Sequence, residues 1–227
     1  MRLSSLKSST KHLTHPLYTI TSNQRALHPN LTQIVKKHAD SVSLKPLSTH
    51  SLTWWQKNHH KLSNNPLILD SGCGKGQSSC LLAEQYPHHT ILAIDQSQHR
   101  LQDLEKNAPN NVVIAQADCT DIWRLCQTNQ YQIDKHYLLY PNPWPKKKHL
   151  IRRWYGHPGF PLLMQLSPYT QVRSNWLLYI QEFAQSASIL GKHPQSYLIT
   201  PNNCALTHFE AKYFNAHVPC YGLDILG

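Results

Sequence analysis

Several features that would place a chain of this size in other classes of protein are missing from this sequence. Its 227 residues contain no apolar run of about 18 residues, and the N-terminus has no apolar stretch of the kind a secretory signal requires. We therefore expect no membrane-spanning segment. The six cysteines include no CxxC pair, which indicates neither a disulfide framework nor a zinc site. We expect no bound metal and a reducing, cytoplasmic location.

Acidic residues are also scarce, and their distribution is uneven. The chain has 12 Asp and Glu against 22 Lys and Arg, a formal net charge of +10. Residues 1–65 carry nine Lys and Arg and one acid, residues 66–140 carry five and eight, and residues 141–227 carry eight and three. Basic flanks around an acidic centre are expected if the flanks bind a polyanion such as RNA and the centre binds a cationic or hydroxyl-rich ligand. Chance surface charge is the alternative.

Short apolar strands alternate with helical segments from residue 66 onward. This alternation predicts an α/β fold with a mostly parallel, doubly wound sheet and helices on both faces. The predicted strands are 67–69, 90–94, 112–115, 136–140, 170–173, 197–200 and 217–225, and the predicted helices are 31–38, 78–86, 98–107, 121–126 and 176–190. Residues 1–23 lack periodicity and are rich in Ser, Thr, Lys and His, so we expect a flexible basic arm before a single domain at 24–227.

A glycine-rich segment connects the first predicted strand to the first helix of the sheet. Asp70 is followed by Ser-Gly-Cys-Gly-Lys-Gly, in which the glycines are Gly72, Gly74 and Gly76. Glycines at this point allow a ligand to approach the backbone, and the helix N-terminus offers free amides. A P-loop needs Ser or Thr directly after the lysine, and a dinucleotide fingerprint needs Gly where Gln77 stands. Neither of those phosphate-binding loops fits the spacing.

Two further acids end the next strands in order. Asp95 is placed to accept hydrogen bonds from ribose hydroxyls, and Asp118 can accept one from an adenine amino group. Asp70 can accept hydrogen bonds from an ammonium group, directly or through water. A ligand with adenosine, an ammonium and a sulfonium cation is S-adenosylmethionine, which we favour over a nicotinamide cofactor. Residues 66–140 then form a cofactor half of the domain, and residues 141–227 form a substrate half.

The segment at residues 140–153 reads Tyr-Pro-Asn-Pro-Trp-Pro-Lys-Lys-Lys-His-Leu-Ile-Arg-Arg. It resembles the tRNA (guanine-N7) methyltransferases, in which a Pro-Asp-Pro-Trp element precedes a basic run and an Arg pair. Three more segments resemble further elements of that family, in the same order. They are Gln-Arg-Ala-Leu at 24–27, Ser-Asn-Trp-Leu-Leu-Tyr at 174–179 and Thr-His-Phe-Glu at 207–210. The resemblance covers residue 24 to the end. It implies a Rossmann-like class I methyltransferase that uses S-adenosylmethionine and acts on tRNA or another structured RNA.

Carried over position by position, the resemblance implies two sets of site residues. The cofactor contacts fall on Asp70, Gly72, Gly74, Gly76, Asp95, Asp118 and Asn142, with Asn142 as the catalytic position. The substrate contacts fall on Lys146, Asn175, Thr207, His208, Phe209 and Glu210.

Asn142 and Asn175 depart from the family pattern, which has aspartate at both positions. Guanine N7 carries a free lone pair, so the enzyme has to align the reacting atoms and accommodate the charge that moves onto the purine. A carboxylate beside the ring would stabilise that charge, whereas an amide supplies one acceptor without charge. Three outcomes follow: guanine-N7 methylation with Glu210 still contacting the base, methylation of another RNA or amino-group acceptor, or binding of cofactor and RNA without turnover.

The basic run admits two interpretations. Lys146, Lys147 and Lys148 with the pair Arg152 and Arg153 could be a solvated loop, as most charge runs are. Because the run leaves a strand end that should face the cofactor and has tryptophans interleaved, we favour contact with RNA phosphates. The aromatic side chains expected in the core instead are Trp123, Trp176 and Tyr179.

Overall fold

The computed structural model describes residues 19–41, 45–62, 65–201 and 205–227. The first 18 residues of the predicted basic arm lie outside the described residues, so the arm stays a prediction.

Seven strands form one sheet in the described part of the chain, and helices connect most of them. The strands are β1 Leu67–Ser71, β2 Thr90–Asp95, β3 Val112–Gln116, β4 Ile133–Leu139, β5 Tyr169–Ser174, β6 His193–Leu198 and β7 Tyr221–Leu226. The helices are α1 Leu31–Ala39, α2 Thr49–Asn58, α3 Gln77–Gln85, α4 Gln98–Asn107, α5 Cys119–Thr128, α6 Phe160–Gln165, α7 Leu177–Ile189 and α8 His208–Asn215. Short 3-10 turns occupy His59–Leu62, Lys147–Arg152 and Trp154–Gly156.

The strand order is β3-β2-β1-β4-β5-β7-β6, with β7 antiparallel to both of its neighbours and the pairs among β1 to β5 parallel. Successive strands move outward from β1 in one direction to β3, and the chain then returns to β4 on the other side of β1. This reversal makes the carboxyl ends of β1 and β4 a topological switch point, where open α/β sheets form their ligand crevice. The predicted mostly parallel α/β sheet is confirmed.

Both faces of the central strands are buried, because successive residues of a strand project to opposite sides. Leu67 and Leu69 pack with side chains of α1, α2, α5, α6 and α7, including the fully buried Trp123 and Tyr179. Ile68 packs on the other face with residues of α3, and α4 completes that layer. The continuous apolar runs in the sequence therefore correspond to strands covered on two sides.

The sequence-based boundaries are wrong at the C-terminal edge of the sheet. The sixth strand begins at His193 and ends at Leu198, whereas the sequence predicted 197–200, and β7 begins at Tyr221 instead of 217. The residues of β6 are mostly exposed, so this edge strand has no apolar run to reveal it. Pro194 is compatible with an edge position, where a missing backbone donor is tolerated. Helices α2, α6 and α8 were not predicted.

Among the residues that the structure describes, no helix combines the length and the hydrophobicity that a bilayer-spanning segment requires.

A buried triad of polar side chains lies between the sheet and α5, next to the switch point. The indole of Trp123 donates to Ser71 Oγ at 2.9 Å, and the same hydroxyl lies 2.8 Å from His136 Nε2. Because an indole can only donate, the Ser71 proton is available to His136, whose Nε2 then accepts. Burial lowers the pKa of His136 to about 3, so the native protein holds this ring neutral.

The buried His136 predicts a specific dependence of stability on pH. The unfolded chain protonates this histidine below its ordinary pKa near 6.5 while the native protein does not, so the free energy of unfolding falls as pH drops. At pH 5 this single group removes about 2 kcal/mol of stability relative to pH 7. The substitution His136→Gln, which keeps an acceptor for Ser71, should abolish that part of the loss in urea denaturation at the two pH values.

The exposed His88 offers a matched control for this measurement. His88→Gln should leave the wild-type loss between pH 7 and pH 5 unchanged. An equal loss in His136→Gln and the wild type would contradict the assignment of a buried neutral ring.

Candidate active site

The glycine loop, residues 72–76, directly follows β1. Gly72, Gly74 and Gly76 have φ angles of +76°, +60° and +80°, a left-handed region that favours glycine. The amides of Gly72 and Cys73 donate to Ile94 O at 2.7 and 3.0 Å, which ties the loop to the end of β2. A Cβ atom at Gly72 or Gly74 would meet nothing within 4 Å. The backbone of the loop is therefore open to a ligand.

A cavity of about 560 Å³ lies against this loop. Gly72 and Gly74 form part of its wall, Tyr140 at the end of β4 forms another part, and the first turns of α8 complete it with Thr207 and Phe209. The volume lies within the range of small-molecule sites, about 300–1,000 Å³. The cavity thus sits at the switch point of the sheet, between the cofactor half and the substrate half of the sequence.

Asp70 is buried in β1 and holds the start of α3. Its Oδ2 accepts hydrogen bonds from the hydroxyls of Ser78 and Ser79, each at 2.6 Å. Burial raises the pKa of the Asp70 carboxyl, and these two hydrogen bonds oppose the shift. Asp70 is not among the lining residues of the cavity. Its contacts connect the glycine loop to the helix that follows it.

Asp95 ends β2 and contacts the glycine loop directly. Its Oδ2 accepts from the Gly74 amide at 3.0 Å, and its Oδ1 accepts from the Ser97 amide at 2.8 Å. Arg100 pairs with the same carboxylate at 3.2 Å and lines the cavity. The carboxylate predicted to bind ribose is buried and is not among the lining residues of the cavity, but it contacts Gly74 and Arg100, which are.

Asp118 is not brought into the glycine-loop cavity. It is the N-cap of α5, where it accepts from the backbone amides of Thr120 and Asp121, and it also accepts from the Gln96 amide at 2.8 Å. The residue instead lines a second cavity of about 870 Å³, beside Trp144. The three acids predicted for the cofactor are thus distributed over β1, β2 and the cap of α5.

Asn142 and Asn175 follow β4 and β5, which are adjacent and parallel. The carboxyl ends of these strands meet at the same edge of the sheet, so both asparagines lie at the predicted substrate side. Asn142 is exposed, and its Oδ1 accepts from the Trp144 amide at 3.3 Å. Tyr140 and Trp144 on either side have φ angles of +52° and +44°, which bend the chain sharply where it leaves β4.

Thr207 is the N-cap of α8, and Glu210 lies in the first turn of that helix. Thr207 Oγ1 accepts from the Glu210 amide at 3.0 Å. The Glu210 carboxylate is fully buried, and it accepts from Arg173 at 2.9 and 3.1 Å, from Tyr140 Oη at 2.8 Å and from the Leu206 amide at 2.6 Å. His208 and Phe209 line the cavity, whereas Glu210 does not. Glu210 fixes the position of α8 relative to β4 and β5.

The basic loop, residues 141–152, carries Lys146 on its exposed side. Ser22 donates to Pro145 O at 2.6 Å, and the Lys147 amide donates to Asn23 Oδ1 at 3.4 Å. The Arg152 guanidinium lies 4.8 Å from the ring centroid of Trp144. Residues near the N-terminus and the basic loop thus form one surface.

No group of three or more His, Cys, Asp and Glu side chains in the described ranges could hold a metal ion.

A family model described as "Putative methyltransferase" matches residues 64–217, about two thirds of the chain. The chain belongs to this methyltransferase family.

Curated relatives of this methyltransferase carry a more specific name. This chain is 25% identical over 162 residues to the tRNA (guanine-N(7)-)-methyltransferase of Zymomonas mobilis. The alignment covers 66% of this chain and 69% of that protein. The chain is 32% identical over 95 residues to the protein of the same name from Brevibacillus brevis, with 40% of this chain and 44% of that protein covered. The predicted assignment to the methyltransferases is confirmed.

A solved structure supports the same fold. The 16S rRNA methyltransferase KamB superposes with a TM-score of 0.56 at 15% identity, covering 81% of this chain and 95% of that one. At this identity the likeness concerns the fold alone, and it confirms the predicted class I, Rossmann-like architecture.

Sequence reasoning missed several residues that line the cavity of this methyltransferase, among them Arg100, Tyr140 and Gln77. Gln77, the first residue of α3, lines the glycine-loop cavity, and its Oε1 is buried without a hydrogen-bond partner in the described structure. Buried acceptors are nearly always paired in native proteins, so this atom is available to a hydrogen-bond donor that enters the cavity. In the sequence, Gln77 served only to exclude a dinucleotide fingerprint, although the first turn after a glycine loop is a recurrent ligand contact.

We expect two alanine substitutions in the glycine loop of the methyltransferase to lower its stability by different amounts. Gly74→Ala places a methyl group in open space at a left-handed φ and should cost about 1–2 kcal/mol of stability. Gly76→Ala adds a clash, because its Cβ would lie 2.5 Å from a methyl carbon of the buried Leu104. The total should be about 2–5 kcal/mol, measured by urea denaturation. Equal losses in the two variants would contradict the packing of Gly76 against α4.

Proposed function

We propose that this chain is an S-adenosylmethionine-dependent enzyme that methylates guanine N7 in tRNA. The observation that carries the proposal is the position of the glycine-loop cavity. Tyr140, which directly follows β4, lines this cavity, and the basic loop begins at the next residue. A methyl donor held on the glycine loop would then lie next to an RNA bound along the basic loop. The names of the curated relatives favour tRNA as that RNA and guanine N7 as the acceptor.

The residues around the cavity fit S-adenosylmethionine. The open backbone at Gly72 and Gly74 admits a ligand close to the loop, and the unpaired Gln77 Oε1 can accept from an ammonium group. Asp95 keeps acceptor capacity beyond its contacts with Gly74, Ser97 and Arg100, since a carboxylate has about four lone-pair sites. It can therefore accept from the ribose hydroxyls, as predicted. When bound, the cofactor supplies an electrophilic methyl group on a sulfonium sulfur.

The chain has to align the acceptor nitrogen with that methyl group and accommodate the positive charge that develops on the purine. Asn142 and Asn175 stand at the ends of β4 and β5, where they offer uncharged amide groups to a base. Glu210 cannot offset the charge directly, because its carboxylate is buried against Arg173, Tyr140 and Leu206. We therefore assign Glu210 a positioning role and expect alignment to contribute more than electrostatic stabilisation.

The lysines at 146–148 are exposed on the basic loop, where they can contact phosphates. Residues 1–65 add a further excess of eight positive charges. We infer a division of the domain into a cofactor half at 66–140 and a substrate half at 141–227, with α8 of the second half closing the cavity of the first. A tRNA-modifying enzyme of this kind would act in the cytoplasm.

The methyl-transfer assay tests the proposal directly. Unmodified tRNA incubated with methyl-labelled S-adenosylmethionine should gain 7-methylguanosine, detected by nucleoside mass spectrometry. Asp95→Ala should lower kcat/KM by about a hundredfold, because it removes a charged hydrogen-bond acceptor and loosens the glycine loop. Glu84→Ala, an exposed acid on α3, is the matched control and should keep wild-type activity.

Calorimetry with S-adenosylhomocysteine and with NAD separates the rival cofactors. Binding of NAD in preference to S-adenosylhomocysteine would overturn the cofactor assignment. Retained S-adenosylhomocysteine binding without transfer to any RNA pool would favour a non-catalytic binding protein.

The two asparagines generate a prediction of increased activity. Asn142→Asp combined with Asn175→Asp restores the carboxylates of the family pattern and should raise kcat/KM for guanine-N7 methylation by about tenfold or more, since one aligned charged hydrogen bond contributes about 1.5–3 kcal/mol. Single-turnover methylation of unmodified tRNA measures the change. A correctly folded double variant without any increase would indicate that the site is retuned to another acceptor.

A further inference from the structure

We propose that Arg153 is a positioning residue that holds the RNA-binding surface in shape, a role that rests on the proposed function. Its side chain is fully buried, although it directly follows the exposed basic loop. It is one of eight Lys and Arg residues in the substrate half, and its surroundings set it apart from the lysines at 146–148.

The guanidinium donates to the backbone of the basic loop at two points. Arg153 Nε lies 3.2 Å from Trp144 O, and Nη2 lies 3.4 Å from Lys146 O. A planar fork with fixed donor directions can hold two carbonyl groups at a set separation, which a lysine ammonium cannot do. Both ends of the stretch that carries Lys146 toward solvent are therefore fixed from inside.

The other side of the guanidinium faces a buried carboxylate. Arg153 Nη1 donates to Glu182 Oε2 at 2.7 Å, and the Tyr155 hydroxyl donates to the same oxygen at 2.5 Å. Both partners of the ion pair are fully buried, with side-chain exposures of 0%. A buried charge pair of this kind is tolerated only when hydrogen bonds satisfy its remaining donors and acceptors.

The second oxygen of Glu182 holds the N-terminal segment, residues 22–28. Glu182 Oε1 accepts from Gln24 Nε2 and from the His28 amide, each at 2.6 Å. Gln24 Oε1 in turn accepts from Arg153 Nη1 at 3.0 Å. The same segment touches the basic loop through Ser22 and Asn23, so direct and buried contacts couple the two strips of chain.

A third element meets the same group. The Arg153 guanidinium lies 5.0 Å from the ring centroid of Trp176, the residue after Asn175 in the loop between β5 and α7. Three segments that the sequence singled out separately therefore converge on one guanidinium: residues 24–27, the basic loop and the loop at 174–176. We infer that the Arg153–Glu182 pair fixes the relative positions of the N-terminal segment, Lys146 and Asn175. RNA would bind along these three positions.

A purely structural role is the alternative, and an apolar replacement distinguishes it. Replacing a buried ion pair by well-packed apolar side chains often preserves stability, whereas removing one partner alone is strongly destabilising. The triple variant Arg153→Met, Glu182→Leu and Tyr155→Phe fills the site without leaving an unpaired charge. It also keeps the net charge of the protein unchanged, so bulk attraction to RNA is preserved.

The test compares the full-length triple variant with the wild type and with Tyr155→Phe alone. We expect KM for tRNA, and Kd for tRNA by fluorescence anisotropy, to rise at least about tenfold, the effect of losing about 1.4 kcal/mol of binding. KM for S-adenosylmethionine and calorimetric affinity for S-adenosylhomocysteine should stay within about twofold, since the glycine loop lies outside this network. Unchanged tRNA values in a folded triple variant would overturn the proposal.

A second variant keeps the inference testable if the triple variant does not fold. Gln24→Leu leaves the ion pair in place and removes the side-chain bridge between Arg153 and the N-terminal segment. It should raise Kd for tRNA about threefold while S-adenosylhomocysteine binding is unchanged, and an unchanged Kd would count against the proposal. RNA binding is scored separately from methyl transfer, so failure of the proposed reaction with intact tRNA binding is distinguishable from failure of this inference.

Discussion

The structure depends on a buried ion pair between the segment after the basic loop and α7. Arg153 and Glu182 lie in the interior with all their charge satisfied by each other, by Gln24 and Tyr155, and by backbone groups. Removing either partner would leave an uncompensated charge in a low-dielectric environment. The pair therefore requires the N-terminal segment, the basic loop and α7 to be assembled together, although these segments lie far apart in the sequence.

The substrate half contains a second arrangement of the same kind. Glu210 is fully buried and bound by Arg173 and Tyr140, and it fixes α8 against the ends of β4 and β5. Burial and the nearby Glu210 carboxylate raise the pKa of the Tyr140 hydroxyl, which keeps it protonated as a donor. Two of the three acids at residues 141–227 thus neutralise two arginines inside the protein. Six Lys and Arg residues and one acid remain in this half, so its whole net charge of +5 lies on side chains outside the two buried pairs, including the lysines at 146–148.

The sequence was sufficient for the central sheet because β1 and β2 are buried along their whole length, and because β3 and the end of β4 also appear as apolar runs between helical segments. It failed at β6, whose exposed polar residues lack that pattern. It also failed at α2 and at α6 and α8, the last two being too short to show a clear period. At the site, the glycine loop was recognisable because left-handed φ angles favour glycine. The sequence could not tell whether a given acid contacts a ligand or the protein: Asp118, which follows β3, caps α5, and Glu210 in the first turn of α8 fixes that helix.

The two buried ion pairs bear on how Asn142 and Asn175 can contribute to catalysis. Methylation of a purine nitrogen creates positive charge, and an enzyme can lower the barrier by placing a carboxylate nearby or by fixing the reacting atoms in line. Among the residues described at the ends of β4 and β5, Asn142 and Asn175 are uncharged, and the charge of Glu210 is already compensated by Arg173. The site then lowers the barrier mainly by aligning the reacting atoms. This alignment depends on loops whose positions are fixed by the buried ion pairs. The constraint imposed by Arg153 and Glu182 on one side, and by Arg173 and Glu210 on the other, is what would supply that alignment.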